Sequence, residues 1–344
     1  MIRKTVVWLT ILSALLLCIK VTANTSTVAE PNQTRKVEPN SPPPVEPNIP
    51  AVAEPKKEAS EPNKPKPAEG QEAKTNAAEP NETKFPLATL FHNKCAEILR
   101  TFVKEDGMVD YNGLRRKRLE LKELLSEFDK QDQKEYESWS REDKIAFWIN
   151  AYNIQMLNII TNNFPIKASK ILSIFWGAHS IRHIKGIMTD YKFMVMDEEF
   201  TLVEVEKRLF SGQFDDPRIY LAIAYASLSG PPLRNEPYYG YKLNEQLEEQ
   251  TRRFLTSQQG FAIDINKGVV HLSALFQPAW RGKEFVRKFG TDKKFKDQQT
   301  ETRAVLNFIS KYIPEQDVSF LEVGNYSVEY IKYDWTVNDI SRGP

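Results

Sequence analysis

Cysteine and histidine are scarce in this chain of 344 residues, which has two cysteines and four histidines. Cys18 lies in an apolar N-terminal run and Cys95 in the first predicted helix, so a disulfide-stapled scaffold and a cysteine-rich zinc site are both excluded. The chain also lacks an excess of one charge, with 47 Lys and Arg against 46 Asp and Glu. Nucleic-acid-binding domains carry a basic excess, so we expect no nucleic-acid partner.

The N-terminus has the three segments of an export signal in the usual order. Arg3 and Lys4 precede an apolar run over residues 5–19, and Val21-Thr22-Ala23 places small residues where cleavage occurs. Because this run is shorter than the roughly 20 residues that span a bilayer, cleavage is favoured over retention as an anchor, which is the alternative. We therefore expect residues 1–23 to be a signal peptide. The mature protein would be secreted or periplasmic, with no stable membrane span.

The next segment, residues 24–84, is rich in proline and almost free of large apolar side chains. Glu-Pro-Asn recurs in it, beginning at Glu30, Glu38, Glu46, Glu61 and Glu79. Such a composition buries too little apolar surface to offset the loss of chain entropy, which predicts a disordered linker with polyproline II character. The folded domain is then residues 85–344, and a plain spacer is favoured over a ligand for a proline-reading partner.

Three helices are predicted at the start of the domain, over residues 87–104, 114–128 and 140–163, from apolar residues at three- and four-residue spacing. Ser140, with Asp143 three residues later, opens the third helix. This helix has no wide polar face, which predicts that it is buried. Its amides Asn150 and Asn153 must then find hydrogen-bond partners inside the fold.

The remainder predicts strands mixed with helices. We expect a hairpin of residues 184–188 and 191–196 around Thr189-Asp190, and a second of residues 261–265 and 269–272. A capping box at Thr201 and Glu204 opens a short helix. Two further helices are expected near residues 243–255 and 302–312, a central strand over residues 218–226 and a last strand over residues 326–335. The prediction is a single α+β domain with N-terminal helices, a buried central helix and a mixed sheet.

Four motifs resemble, in order and spacing, those of the domain of unknown function 547 family. They are Phe147-Trp148-Ile149-Asn150-Ala151-Tyr152-Asn153, Asp216-Pro217-Arg218-Ile219, Ala226-Ser227-Leu228-Ser229-Gly230-Pro231-Pro232-Leu233 and Tyr333-Asp334-Trp335 with Asn338-Asp339. The resemblance begins at Asp106 and ends at Asp339. It implies a family fold and leaves the biochemistry open, because the family name itself declares the function unknown.

The chain departs from the family pattern at three positions. The resemblance implies a His and two Cys around the end of the predicted central strand, a group suited to a thiolate nucleophile or a soft-metal site. Here those positions are Tyr220, Tyr225 and Gly230. None of the three can serve either purpose, so this chain is identified as a divergent, chemically degenerate member.

Other residues are weaker candidates for a site. His179 and His183 are four apart, but Gly177 argues against a regular helix there, and we expect no metal and no cofactor. Ser227 and Ser229 lie at a predicted turn without a nucleophile-elbow motif around them, so their hydroxyls are expected to fix the turn. Candidate framework or binding residues complete the set: Trp148, Asn150, Tyr152, Asn153 and Trp335, with Arg218 and Asp334 as an expected buried ion pair.

The leading functional hypothesis is an exported binding or scaffolding module that has lost catalysis and acts on an unknown protein or envelope partner. The alternative is a cell-envelope hydrolase or transferase that uses Ser227 or Ser229 with His179, His183 or His271. A third possibility is a purely structural envelope protein. A deep pocket beside the third helix would distinguish a binding module from a structural protein.

Overall fold

The longest helix, Arg141–Asn162, lies at the centre of the fold and is buried over 16 of its 22 residues. Ser140 caps it by accepting a hydrogen bond from the Asp143 amide at 3.0 Å. The prediction of a buried third helix is therefore confirmed. The computed structural model describes residues 87–170, 172–290 and 294–342, so the predicted signal peptide and linker, residues 1–84, lie outside the described residues.

Eleven α-helices occur in the part of the chain that the structure describes, five of them before residue 170. These five are α1 (Leu87–Phe102), α2 (Tyr111–Arg116), α3 (Arg118–Asp129), α4 (Gln133–Ser138) and α5 (Arg141–Asn162). The other six are α6 (Leu202–Val205), α7 (Ile219–Ala222), α8 (Leu243–Leu255), α9 (Lys283–Phe289), α10 (Thr300–Ile309) and α11 (Glu315–Val323). One π-helical segment, Glu206–Phe214, directly follows α6. Another, Pro278–Gly282, directly precedes α9.

Two small sheets accompany the helices. The first is the antiparallel hairpin β1 (Phe193–Val195) and β2 (Glu198–Phe200). In the second, β3 (Phe261–Asp264) pairs antiparallel with β4 (Val269–Leu272), and β4 pairs parallel with β5 (Ser327–Tyr330). The described residues thus form an α+β domain in which one sheet is mixed, as predicted.

Three strand predictions were wrong. Residues 218–226 form the single helical turn α7 and then an extended segment. Asp216 starts this turn, because its carbonyl accepts the Ile219 amide and its carboxylate accepts the Arg218 amide. The first hairpin turns at Met196-Asp197, both with positive φ, and not at Thr189-Asp190. The last strand ends at Tyr330, five residues earlier than expected.

The C-terminal segment after β5 ties distant parts of the domain together. Isolated bridges join Thr336 to Ser180, Val337 to Ser227 and Asp339 to Val109. The Trp335 carbonyl also accepts the Ile181 amide at 3.0 Å. These contacts place Trp335 beside the segment that carries Tyr225, which is where the site lies.

Candidate functional site

A buried ion pair, Glu206 with Arg281, lies at the centre of the candidate site. Arg281 Nη2 donates to Glu206 Oε1 at 2.6 Å, and the two side chains are only 12% and 8% exposed. Tyr152, on α5, donates its hydroxyl to the same Oε1 at 2.9 Å. Both bonds reach Oε1, so Oε2 of Glu206 has no protein partner among the described residues.

Both halves of this pair lie in π-helical segments, which are rare and often found at functional sites. Glu206 is the first residue of one segment and Arg281 the fourth of the other. In the second segment the Gly282 amide donates to the Gln277 carbonyl at 3.0 Å, the bond that widens the turn. A Cβ at Gly282 would meet the Phe276 carbonyl oxygen at 2.5 Å, so glycine is required for this turn.

Two tyrosines hold the guanidinium of Arg281. Its Nε donates to the Tyr225 hydroxyl at 3.2 Å, and its Cζ lies 4.5 Å from the ring centroid of Tyr220. Burial raises the pKa of Tyr225 to about 12, so this hydroxyl is neutral at physiological pH. Burial alone would lower the pKa of Arg281, but Tyr225 and Glu206 more than offset it, and the guanidinium stays charged.

Aromatic rings form the wall next to the ion pair. Trp280 stacks on Trp335 with ring centroids 5.4 Å apart and meets the ring of Tyr333 edge-on at 5.0 Å. Tyr225 meets Trp280 edge-on at 5.9 Å. The guanidinium of Arg182 also packs over the ring of Trp335, with its Cζ 4.9 Å from the ring centroid.

The ion pair and the aromatic wall enclose a cavity of about 420 Å³. Its lining is mainly apolar, with Met156 from α5 and Ile181, Ile187, Met188, Val203, Trp280 and Trp335. The polar lining residues are Glu206, Ser211, Tyr225 and Arg281, with Lys207, Lys283 and Glu284. A cavity of this size, lined by apolar side chains together with polar groups that can orient a ligand, is typical of small-molecule sites.

The structure brings together the three positions at which the chain departs from the family pattern. Tyr220 and Tyr225 both contact Arg281, and Tyr225 lines the cavity. A Cβ placed on Gly230 would lie 2.8 Å from the Tyr225 Cβ. Ala226, between Tyr225 and the Ser227 turn, has φ of +52°, a conformation that side-chain-bearing residues rarely adopt. Of the three positions, Tyr225 lines the cavity, Tyr220 contacts it through Arg281, and Gly230 packs against Tyr225.

The two candidate serines make hydrogen bonds that fix the polypeptide turn. Ser227 Oγ is 2.7 Å from the Tyr333 hydroxyl, and Ser229 Oγ donates to Gln259 Oε1 at 2.7 Å. Ser229 Oγ also accepts the Asp334 amide at 2.8 Å. Burial raises the pKa of Tyr333, so its hydroxyl is not a base at neutral pH. Ser227 and Gly230 line a separate, smaller cavity of about 280 Å³, whose described lining contains no histidine.

The side-chain contacts of the candidate histidines in the described residues involve groups other than Ser227 and Ser229. His183 is in a short 3₁₀ turn, where Nδ1 accepts the Ser169 amide at 3.4 Å and Nε2 is 3.0 Å from the Gly177 carbonyl oxygen. His179 has an exposed side chain, and His271, on β4, faces Glu329 at 3.9 Å. Within the described ranges, no three His, Cys, Asp or Glu side chains converge as metal ligands do.

The predicted ion pair between Arg218 and Asp334 was wrong. Arg218 pairs with Asp216 at 2.7 Å and with Glu248 at 2.6 Å. The Asp334 carboxylate instead accepts the Thr336 amide at 2.9 Å in the C-terminal segment. The Asp216 turn holds Arg218 over α8, which explains why its partner is Glu248.

The framework residues on α5 are buried and paired. Asn150 donates to the Tyr238 carbonyl at 2.8 Å and accepts the Tyr238 amide at 2.9 Å. Asn153 donates to the Ala222 carbonyl at 3.1 Å and accepts the Ala224 amide at 2.7 Å. The expectation of internal partners for both amides is confirmed. Trp148 donates its indole N–H to the Tyr136 hydroxyl at 2.9 Å.

Sequence reasoning missed Glu206, Trp280 and Arg281. Glu206 lies inside the short helix predicted from Thr201 to about Phe210, and 75 positions separate it from Arg281. The one local signal was the run Pro278-Ala279-Trp280-Arg281-Gly282, in which an aromatic and a cation stand between two residues that disfavour a regular helix.

Comparison with protein families gives one match. Residues 136–255 match the family described as "Protein of unknown function, DUF547". Over these residues the chain is similar to that family. The match includes α5, the Glu206 segment, Tyr220, Tyr225 and Gly230, and it confirms the resemblance for the three motifs that lie within residues 136–255. No curated protein and no solved structure is significantly similar to the chain. In the described part of the chain, no helix has the length and apolar character needed to cross a membrane.

Proposed function

We propose that this protein is an exported binding module whose DUF547 domain holds a small, largely apolar ligand in the cavity beside Arg281. The observation that carries the proposal is the buried Glu206–Arg281 pair at the edge of that cavity, with the aromatic wall of Trp280 and Trp335 next to it. An aromatic wall supplies contact area, and the polar groups orient the ligand.

The ion pair is hard to explain by stability alone. Buried pairs lose much of their attraction to desolvation, and apolar replacements of similar volume are often as stable or more stable. Here the pair is bound by two tyrosines, in two π-helical turns, one of which requires Gly282. Such an arrangement at a cavity wall favours a role in binding over a role in holding the fold.

Loss of catalysis is the second part of the proposal. At the positions where the family pattern places a His and a Cys, Tyr220 and Tyr225 pack around Arg281 with neutral hydroxyls. Ser227 and Ser229 bond to a tyrosine and an amide, neither of which is a general base. The domain would thus use its cavity for binding and not for catalysis.

The place of action follows from the N-terminal sequence. The basic, apolar and small segments of residues 1–23 support export, and the proline-rich residues 24–84 support a spacer that separates the domain from its exit point. The ligand is then expected in the envelope or outside the cell, either free or presented by an envelope partner.

A ligand screen on the full mature chain tests the binding role. We expect compounds with an aromatic or aliphatic body to raise the melting temperature of the wild type, and Trp280→Ala to abolish that rise while still melting cooperatively. Tyr241→Ala, which removes a 72% exposed aromatic remote from the cavity lining, is the matched control and should behave as wild type. Hits that stabilise Trp280→Ala as strongly as the wild type would contradict the proposal.

A further inference from the structure

Within the Glu206–Arg281 pair, one donor and one acceptor have no protein partner among the described residues. Arg281 has Nε bonded to Tyr225 and Nη2 to Glu206, which leaves Nη1 without a protein partner among the described residues. Glu206 uses Oε1 for both its bonds, which leaves Oε2. Glu206 and Arg281 both line the cavity, and neither leftover atom is among the fully buried polar atoms that lack a partner.

These two atoms belong to side chains that are joined by the 2.6 Å bond between Arg281 Nη2 and Glu206 Oε1. A molecule in the cavity meets N–H groups that only donate and a carboxylate oxygen that only accepts. A bound carboxylate satisfies Nη1 but places a second anion against Oε2, and a bound ammonium has the opposite fault. A group with an acceptor and a donor on the same edge satisfies both atoms without adding charge.

We propose that the ligand carries a primary carboxamide, or a lactam of the same geometry, on an apolar body. A primary amide has a C=O and an N–H on one edge, whereas a trans secondary amide points them in opposite directions. The C=O would accept from Arg281 Nη1, the N–H would donate to Glu206 Oε2, and the body would lie on Trp280 and Trp335. This inference rests on the proposed binding role of the cavity and names the chemistry that the cavity selects.

Four probes with one apolar body test the inference by calorimetry on the full mature chain. They are 3-phenylpropanamide, its N-methyl amide, 3-phenylpropanoate and 3-phenylpropylamine. We expect the primary amide to bind about tenfold or more tightly than each of the others, because each of the others loses or opposes one charge-assisted hydrogen bond. Equal affinities for all four in the wild type would overturn the inference.

The substitution Glu206→Gln gives a second test of the preference for a primary amide. Glu206→Gln can keep an acceptor toward Arg281 and Tyr152 and replaces Oε2 by an NH₂ donor. We expect the preference for the amide over 3-phenylpropanoate to fall about tenfold, with Glu199→Gln, an exposed carboxylate, unchanged. Should Glu206→Gln not fold, the wild-type probe series decides alone.

The outcomes separate the two proposals. If the four probes bind equally and Trp280→Ala abolishes all four, the cavity binds ligands and the amide selectivity is wrong. If the primary amide binds best and Trp280→Ala weakens it, both stand. If none of the probes binds at about 10 mM, where even millimolar affinity is detected, the amide inference is overturned. The general ligand screen then decides on the cavity itself.

Discussion

The guanidinium of Arg281 lies over the ring of Tyr220, with 4.5 Å between Cζ and the ring centroid. Tyr220 is the position where the family pattern has a histidine, and its hydroxyl is 2.5 Å from Ser211 Oγ. Tyr220 thus supports the cation in the wall of the cavity.

The amide of Asn153 should be a main contributor to the stability of the site segment. Asn153→Ala leaves the Ala222 carbonyl and the Ala224 amide buried without partners, at a cost of about 2–4 kcal/mol in the free energy of unfolding. Asn162→Ala, on the same helix but exposed, should change the free energy by less than about 0.5 kcal/mol. Urea unfolding measures both, and equal effects from the two variants would show that the bridge is not stabilising.

Acid should destabilise the fold through Asp216. Burial alone would raise the pKa of Asp216, but the hydrogen bonds and charge of Arg218 outweigh it and hold the pKa below the ordinary value. Because the pKa of Asp216 is lower in the folded than in the unfolded protein, its ionised carboxylate stabilises the fold at pH values above the unfolded pKa, near 4. This contribution to the free energy of unfolding is lost as the pH falls through the lower pKa of the folded state.

Unfolding free energies measured between about pH 6 and pH 2 check this expectation. Asp216→Asn should flatten the acid limb of the curve and lower the stability at neutral pH. Asp197→Asn, an exposed hairpin-turn carboxylate whose φ of +60° suits asparagine, should keep the wild-type curve. A wild-type acid limb in Asp216→Asn would show that Arg218 does not set this pKa.

Ser227 should be unreactive toward serine-directed reagents. Its hydroxyl bonds to Tyr333, whose buried hydroxyl has a raised pKa and takes no proton near pH 7. We expect no labelling of the native protein by a fluorophosphonate, read by intact mass. Labelling that Ser227→Ala abolishes would favour the hydrolase or transferase alternative.

Secondary-structure elements that depend on neighbouring residues alone could be predicted from the sequence. Helix α5 follows from its apolar run and the Ser140 cap, and the β3–β4 hairpin from the turn at Gly268, which has φ of +61°. The segment after Arg218 was misread because an apolar run of strand length also suits a buried turn. What holds it is the side chain of Asn153, 69 residues earlier in the chain.

The site was predictable only in part. The motif departures indicated Tyr220, Tyr225 and Gly230; in the structure the two tyrosines contact Arg281, and Gly230 packs against Tyr225. Glu206 and Arg281 had no shared local pattern, because their pairing depends on two π-helical turns far apart in the chain. A parallel strand pair such as β4–β5 is hidden for the same reason, since a long crossover separates its strands.

Fluorine NMR of the 5-fluorotryptophan-labelled protein, titrated with 3-phenylpropanamide, tests the central claim most directly. The claim is that ligands bind at Trp280 and Trp335 beside Arg281, and single Trp→Phe variants assign the resonances. The account predicts saturable shifts of the Trp280 and Trp335 signals, while the buried Trp139 and Trp148 signals stay fixed. Shifts confined to Trp176, or no shift at Trp280 and Trp335 at saturation, would contradict it.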